Sequence, residues 1–147
     1  DEYRWGNRKA EIIDFFIETK RGKDPVILET TESITLGIKV YFSERMSDLI
    51  YGLTIRTVDG IIVYGSNTRN RQIATKSRNI NEPAWICCNF ELNLLPGDYF
   101  LSLGVAQDDD TVDNLAIDRR YDIAHFNVEG STDDLGFAAL KMLIDEQ

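Results

Sequence analysis

Apolar and polar residues alternate with a period of two along most of this chain, the spacing of strands with one buried face. In SITLGIKVYF the set Ile34, Leu36, Ile38, Val40, Phe42 alternates with Thr35, Gly37, Lys39, Tyr41. LIYGLTIRTV follows, with Leu53 and Ile55 on one side and Thr54 and Arg56 on the other. Asp59-Gly60 then marks a hairpin, because glycine accepts the positive φ of a tight primed turn, and IIVYG returns as the partner strand. AWICCNFEL sets Ala84, Ile86, Cys88, Phe90, Leu92 against Trp85, Cys87, Asn89, Glu91. After a Pro96-Gly97 turn, DYFLSLGVA carries Tyr99, Leu101, Leu103 and Val105 inward. YDIAHFNV is the last clear strand, and AEIIDFFIETK near the start is a long one closed by a turn at RGKDP.

This gives about seven or eight strands and no long helical segment. The expected fold is all-β, an antiparallel β-sandwich of immunoglobulin-like or jelly-roll type. Residues 66–82 and 108–120 read as irregular and longer than hairpin loops, hence as functional or mobile segments. The tail STDDLGFAALKMLIDEQ fits two periods. Leu135, Ala138, Ala139, Met142 have helical spacing, and Ala138, Leu140, Met142, Ile144 have strand spacing.

At 147 residues and 43% apolar content, a single globular domain over 1–147 is expected. The net charge of −9 opposes general nucleic-acid binding, which needs a basic footprint, and adsorption to an anionic bilayer. No apolar run approaches the ~20 residues of a membrane span. The first residue is Asp1 rather than methionine, which reads as a processed protein or, preferably, a piece of a larger one. Adjacent Cys87 and Cys88 point to opposite faces of a strand, are poorly placed to bridge each other, and suit a reducing compartment.

Catalytic and metal chemistry find little support. The one histidine, His125, lies on a predicted strand, and neither a G-x-S-x-G elbow nor a phosphate loop occurs. Asp108, Asp109, Asp110 and Asp113 lack the spacing of a calcium loop and read as a solvated turn. Cys87, Cys88 and His125 make a poor zinc set, since adjacent cysteines do not easily share one tetrahedral ion. No cofactor and no catalytic residue is expected.

Binding is better served. With the even-numbered residues of both long strands inward, the opposite side carries Lys39, Tyr41, Trp85, Asn89 and Glu91. Neighbouring strands add Arg56, Ser102 and His125. Small residues, Gly37, Gly52, Gly104 and Ala106, share that side and leave room for a ligand. An exposed aromatic can cover the C–H face of a sugar while amide and guanidinium groups satisfy its hydroxyls, which Trp85, Arg56 and Asn89 together could do. Trp85 packed under a loop or at a protein contact is the alternative.

Four stretches together carry a family resemblance: RWGNRKAEI, IRTVDGIIVYGSNT, LLPGDYFLSLGVAQDD and YDIAHFNVEG, in that order from Arg4 to about Gly130. The chain resembles the C-terminal carbohydrate-binding domain of the Wzt-type ATPase subunit of ABC transporters that export bacterial O-antigen polysaccharide. The resemblance implies non-catalytic recognition of the finished polysaccharide at or near its non-reducing, capped end. It implies a homodimer, with residues 131–147 as a dimerisation tail and Phe137 to Leu143 as a strand paired with the partner. It implies a cytoplasmic place at the inner face of the inner membrane, and contact with the membrane-spanning subunit through the full-length protein. ATP hydrolysis would belong to another domain. Asn67, in the loop after the hairpin, would hold backbone geometry or touch glycan; Arg69 and Arg71 would matter for an anionic ligand. The rival readings are a β-sandwich that binds protein and, more remotely, a glycan-modifying hydrolase.

Overall fold

A computed structural model of the chain describes residues 3–111 and 114–147. Ten strands follow in order: β1 (Tyr3–Trp5), β2 (Ala10–Thr19), β3 (Gly22–Lys23), β4 (Ile27–Glu29), β5 (Ser33–Phe42), β6 (Leu49–Thr57), β7 (Ile62–Asn67), β8 (Ala84–Glu91), β9 (Gly97–Gln107) and β10 (Leu115–Glu129). They form two sheets. One runs β1-β10-β9-β6-β7, with β4 added in parallel to the end of β10; the other runs β3-β2-β5-β8. The remaining pairings are antiparallel, so the expected sandwich is present.

The period-two residues make the core. Ile34, Leu36, Ile38, Val40 and Phe42 of β5 face Tyr99, Leu101, Leu103 and Val105 of β9 across one buried cluster. Tyr99 is fully buried, and its hydroxyl donates to the Leu95 carbonyl at 2.7 Å, so no polar atom is stranded. The Asp59-Gly60 hairpin forms as expected, with Gly60 at φ 89° and Thr57 N–H donating to the Ile61 carbonyl at 2.8 Å.

Strand β10 departs from the sequence reading. It begins at Leu115, inside the stretch expected to be irregular. Two register shifts against β9, at Ala116/Asp118 and Arg120/Ala124, hide it from a period-two search. The first turns Asp118 inward, where it is fully buried. Arg4 of β1 meets it with two hydrogen bonds, Nε to Oδ1 at 2.8 Å and Nη2 to Oδ2 at 2.7 Å. The Ile12 N–H adds a third at 2.8 Å. Arg120 donates to the Ile12 carbonyl at 2.9 Å, beside the bulge that leaves Ile13 exposed. One buried carboxylate thus joins the N-terminal strand, β2 and β10.

The tail does little pairing within its own chain. Only Ala138 bridges, to Leu94, with Leu95 N–H donating to the Phe137 carbonyl and Ala139 N–H to the Asn93 carbonyl. Residues 140–147 form no strand within the chain.

Candidate functional site

The sheet carrying β10-β9-β6-β7 bears a groove of about 350 Å³ on its outer face. Its floor is made of small residues from adjacent strands: Gly52 and Thr54 on β6, Gly65 on β7, Ser102, Gly104 and Ala106 on β9. Gly52 is also required sterically, because a Cβ there would come within 2.8 Å of the Asn67 Cβ. At Gly104 a Cβ would meet only the Arg119 Cγ, at 3.9 Å; the space above it belongs to the groove.

The rim is polar. Asn67 accepts the Asn70 N–H on its Oδ1 at 2.7 Å and fixes the turn after β7. Arg69 reaches across to the Asn114 Oδ1 and lies 3.6 Å from Asp108, tying that turn to the loop before β10. Asn67, Asn70 and Asn114 therefore stand on one bank. Arg119 and Tyr121 form the other. Tyr121 is braced by β1: the Trp5 indole donates to its hydroxyl at 3.2 Å, and Tyr3 packs on its ring at 5.4 Å. Arg119 lies over the Trp5 ring at 5.1 Å.

The second β10 bulge shapes that bank. Asp122 takes φ 54°, a left-handed conformation that aspartate tolerates better than most residues. Its N–H donates to the Ser102 hydroxyl at 2.8 Å, and its carboxylate receives Arg56 through two bonds of 2.7 Å. Arg56 also donates to the Thr57 carbonyl at 2.7 Å and lies 4.5 Å above the Phe100 ring. Hydrogen bonding to Asp122 raises its already high pKa, so it stays charged.

The eight residues expected to form one site are divided. Asn67 and Ser102 line the groove. Arg56 and His125 share its sheet but lie outside its lining. Arg56 is committed to Asp122; His125 packs on Phe100 at 5.1 Å and pairs with Asp98 at 3.1 Å. Trp85, Asn89, Tyr41 and Lys39 belong to β8 and β5, in the other sheet. There Trp85 packs against Phe16 at 5.4 Å with Lys39 at 5.7 Å, Asn89 accepts from Thr35, and Tyr41 bonds Asn81. The expectation that Trp85, Arg56 and Asn89 emerge on one face is thereby corrected. Alternation within each strand was read properly, but β5 and β8 belong to one layer and β6 and β9 to the other.

Arg119, Tyr121, Asn70, Asn114 and Trp5 were not singled out as site residues. The signal for the first two is the run IDRRYD, where charged and apolar residues break alternation and mark a bulge. Within the acidic loop Asp109 accepts from the Thr111 N–H and hydroxyl, which, with the loop's own backbone and the charge of Arg69, hold its pKa down. Asp113 lies outside the described residues.

The model of the family described as the Wzt C-terminal domain matches residues 1–140. The chain belongs to the Wzt C-terminal domain family. A solved structure titled as the crystal structure of the C-terminal domain of wzt superposes with a TM-score of 0.93 at 29% identity, covering 100% of this chain and 89% of that one. No curated protein matches. Membership of the Wzt C-terminal domain family carries a role in O-antigen ABC transport. The groove between Asn67 and Tyr121 is a concave polar feature on the outer face of one sheet.

Proposed function

We propose that this domain binds O-antigen polysaccharide in the β10-β9-β6-β7 groove, at or near the non-reducing end, and thereby selects completed chains for export. The carrying observation is the groove itself, a floor of glycine, serine, threonine and alanine between amide, guanidinium and phenol side chains. Such a rim offers donors and acceptors to ring hydroxyls, and Tyr121 offers an aromatic surface. About 350 Å³ is at the small end of ligand sites, which suits the tip of a chain better than a long internal stretch. The domain performs no chemistry; ATP hydrolysis belongs to another part of the transporter subunit, at the cytoplasmic face of the inner membrane. The whole of 1–147 acts as one carbohydrate-binding unit that meets the membrane-spanning subunit through the full-length protein.

The domain works as a homodimer, joined through its tail. Leu140, Met142, Leu143 and Ile144 are each at least 76% exposed, an apolar arm that water alone does not favour. Two sites per dimer would raise the effective concentration of a weakly held polysaccharide.

Calorimetric titration with the native polysaccharide, and with the same polymer lacking its terminal residue, tests the reading. Binding of the first and not the second is expected. Equal binding of both would remove end recognition, and binding of neither would remove the groove as a glycan site.

A further inference from the structure

A second groove, of about 800 Å³, runs between the free edge of β8 and the β6–β7 layer. One end is apolar, with Phe90, Leu92, Leu94 and Phe137. The other end is cationic. Arg78 lies there, beside the start of β8: it bridges Met46, and the nearby Asn81 N–H donates to the carbonyl of Phe42, two residues past the Val40–Ala84 pair. Arg71 and Lys76 line the same groove, and the one carboxylate among its described lining residues, Glu91, is held by Lys141 at 2.6 Å. Among the described residues, two buried side-chain polar atoms have no hydrogen-bond partner, the Tyr51 hydroxyl and the Arg78 Nε, and both residues line this groove. Tyr51 is only 4% exposed. Burial pushes its phenol pKa up against the opposing pull of Arg78, so it remains a neutral donor.

The tail starts along β8 in a definite register. Ala138 lies opposite Leu94, and three residues on in each direction Lys141 meets Glu91. Continued antiparallel, this register sets Leu140, Met142 and Ile144 opposite Leu92, Phe90 and Cys88, the inward side of β8. Glu146 then falls opposite Ile86, also inward and near the end where Arg78 lies. The chain does not follow that path: Lys141 adopts φ 51° and turns the arm away, apolar residues outward. An arm that leaves its own groove can fill the same groove of a second copy, with the contacts preserved. Polarity fixes its direction, since apolar residues precede Asp145 and Glu146 just as the apolar end of the groove precedes the cationic end.

We propose that in the dimer the carboxylate of the swapped Glu146 is bound by the Arg78 guanidinium and the Tyr51 hydroxyl of the other protomer, a polar latch that sets the direction and register of the exchanged strand. This rests on the tail-mediated dimer proposed above. The latch gives two buried donors an acceptor and leaves Lys141–Glu91 in register outside it.

Sedimentation equilibrium of the 147-residue chain and its variants over a dilution series tests it, with thermal melts confirming that each variant folds. The unaltered chain is expected to dimerise. Glu146→Gln and Arg78→Gln are each expected to weaken the dimer by about a hundredfold, because a reciprocal exchange holds two latches and each variant loses a charge-assisted bond, worth about tenfold, in both. Tyr51→Phe should weaken it a few-fold while leaving monomer melting unchanged or raised, since an unpaired buried hydroxyl would be removed. Arg78→Glu combined with Glu146→Arg should recover most of the loss. If the chain dimerises, Ile144→Asp disrupts it, and Glu146→Gln and Arg78→Gln do not, the latch is wrong and the dimer stands. A monomeric unaltered chain overturns both.

Discussion

Arg4→Met tests the buried junction that positions one bank of the groove. Asp118 is fully buried and accepts three hydrogen bonds, two of them from Arg4. Removing the guanidinium leaves the carboxyl group in the core with one backbone N–H, and breaking a buried pair in this way costs about 3–5 kcal/mol. The Arg4 side chain is 23% exposed, so water can enter beside it and the low end, about 3 kcal/mol, is expected. Unfolding entropy for a chain of this length is roughly 0.3 kcal/mol/K, so each kcal/mol is worth about 3 °C and the melting temperature should fall by about 10 °C. Calorimetry gives the temperature, and near-ultraviolet circular dichroism, sensitive to the Trp5–Tyr121 contact, gives the local consequence. A fall under about 3 °C would place the pair among surface ion pairs, worth at most ~1 kcal/mol, and would refute its role in fixing β1.

Gly104→Val should abolish polysaccharide binding with little change in melting temperature, because a Cβ there meets only Arg119 and the methyl groups beyond it would extend into the groove; calorimetric titration checks it, and retained affinity would move the site elsewhere. Trp85→Ala should leave that binding intact, since Trp85 belongs to the other sheet. Arg56→Ala should lower stability by about 1 kcal/mol, the pair being partly exposed, and should weaken glycan binding indirectly by freeing the Asp122 bulge; unchanged affinity would separate the bulge from the site. Burial of Glu32 opposes its ionisation, but hydrogen bonds from Arg21 and the Glu29 N–H outweigh this and hold its pKa below 4.5. Its stabilisation is thus complete above the unfolded value and lost as pH falls through the lower folded one. Melting temperature should drop below about pH 4.5, and Arg21→Ala should flatten that part of the profile.

The strands and their inward faces were legible in the sequence because alternation is a local property. Ile34 to Phe42 reads as a one-sided strand whatever it packs against, and it is buried on those positions. The Asp59-Gly60 turn was equally local, since its backbone angles need a glycine. One groove residue, Ser102, followed from those readings, and another, Asn67, from the family resemblance. What alternation does not carry is the sheet to which a strand belongs. That depends on pairing between distant segments, and it separated Trp85 and Asn89 from Arg56. The β10 bulges lay equally out of reach. They exist because Asp118 finds Arg4 and Asp122 finds Arg56, partners 114 and 66 residues away, and those long-range bonds compensate for a broken ladder. The sequence alone therefore determined which side of each strand is apolar, while only tertiary pairing decided which polar sides meet to make a groove.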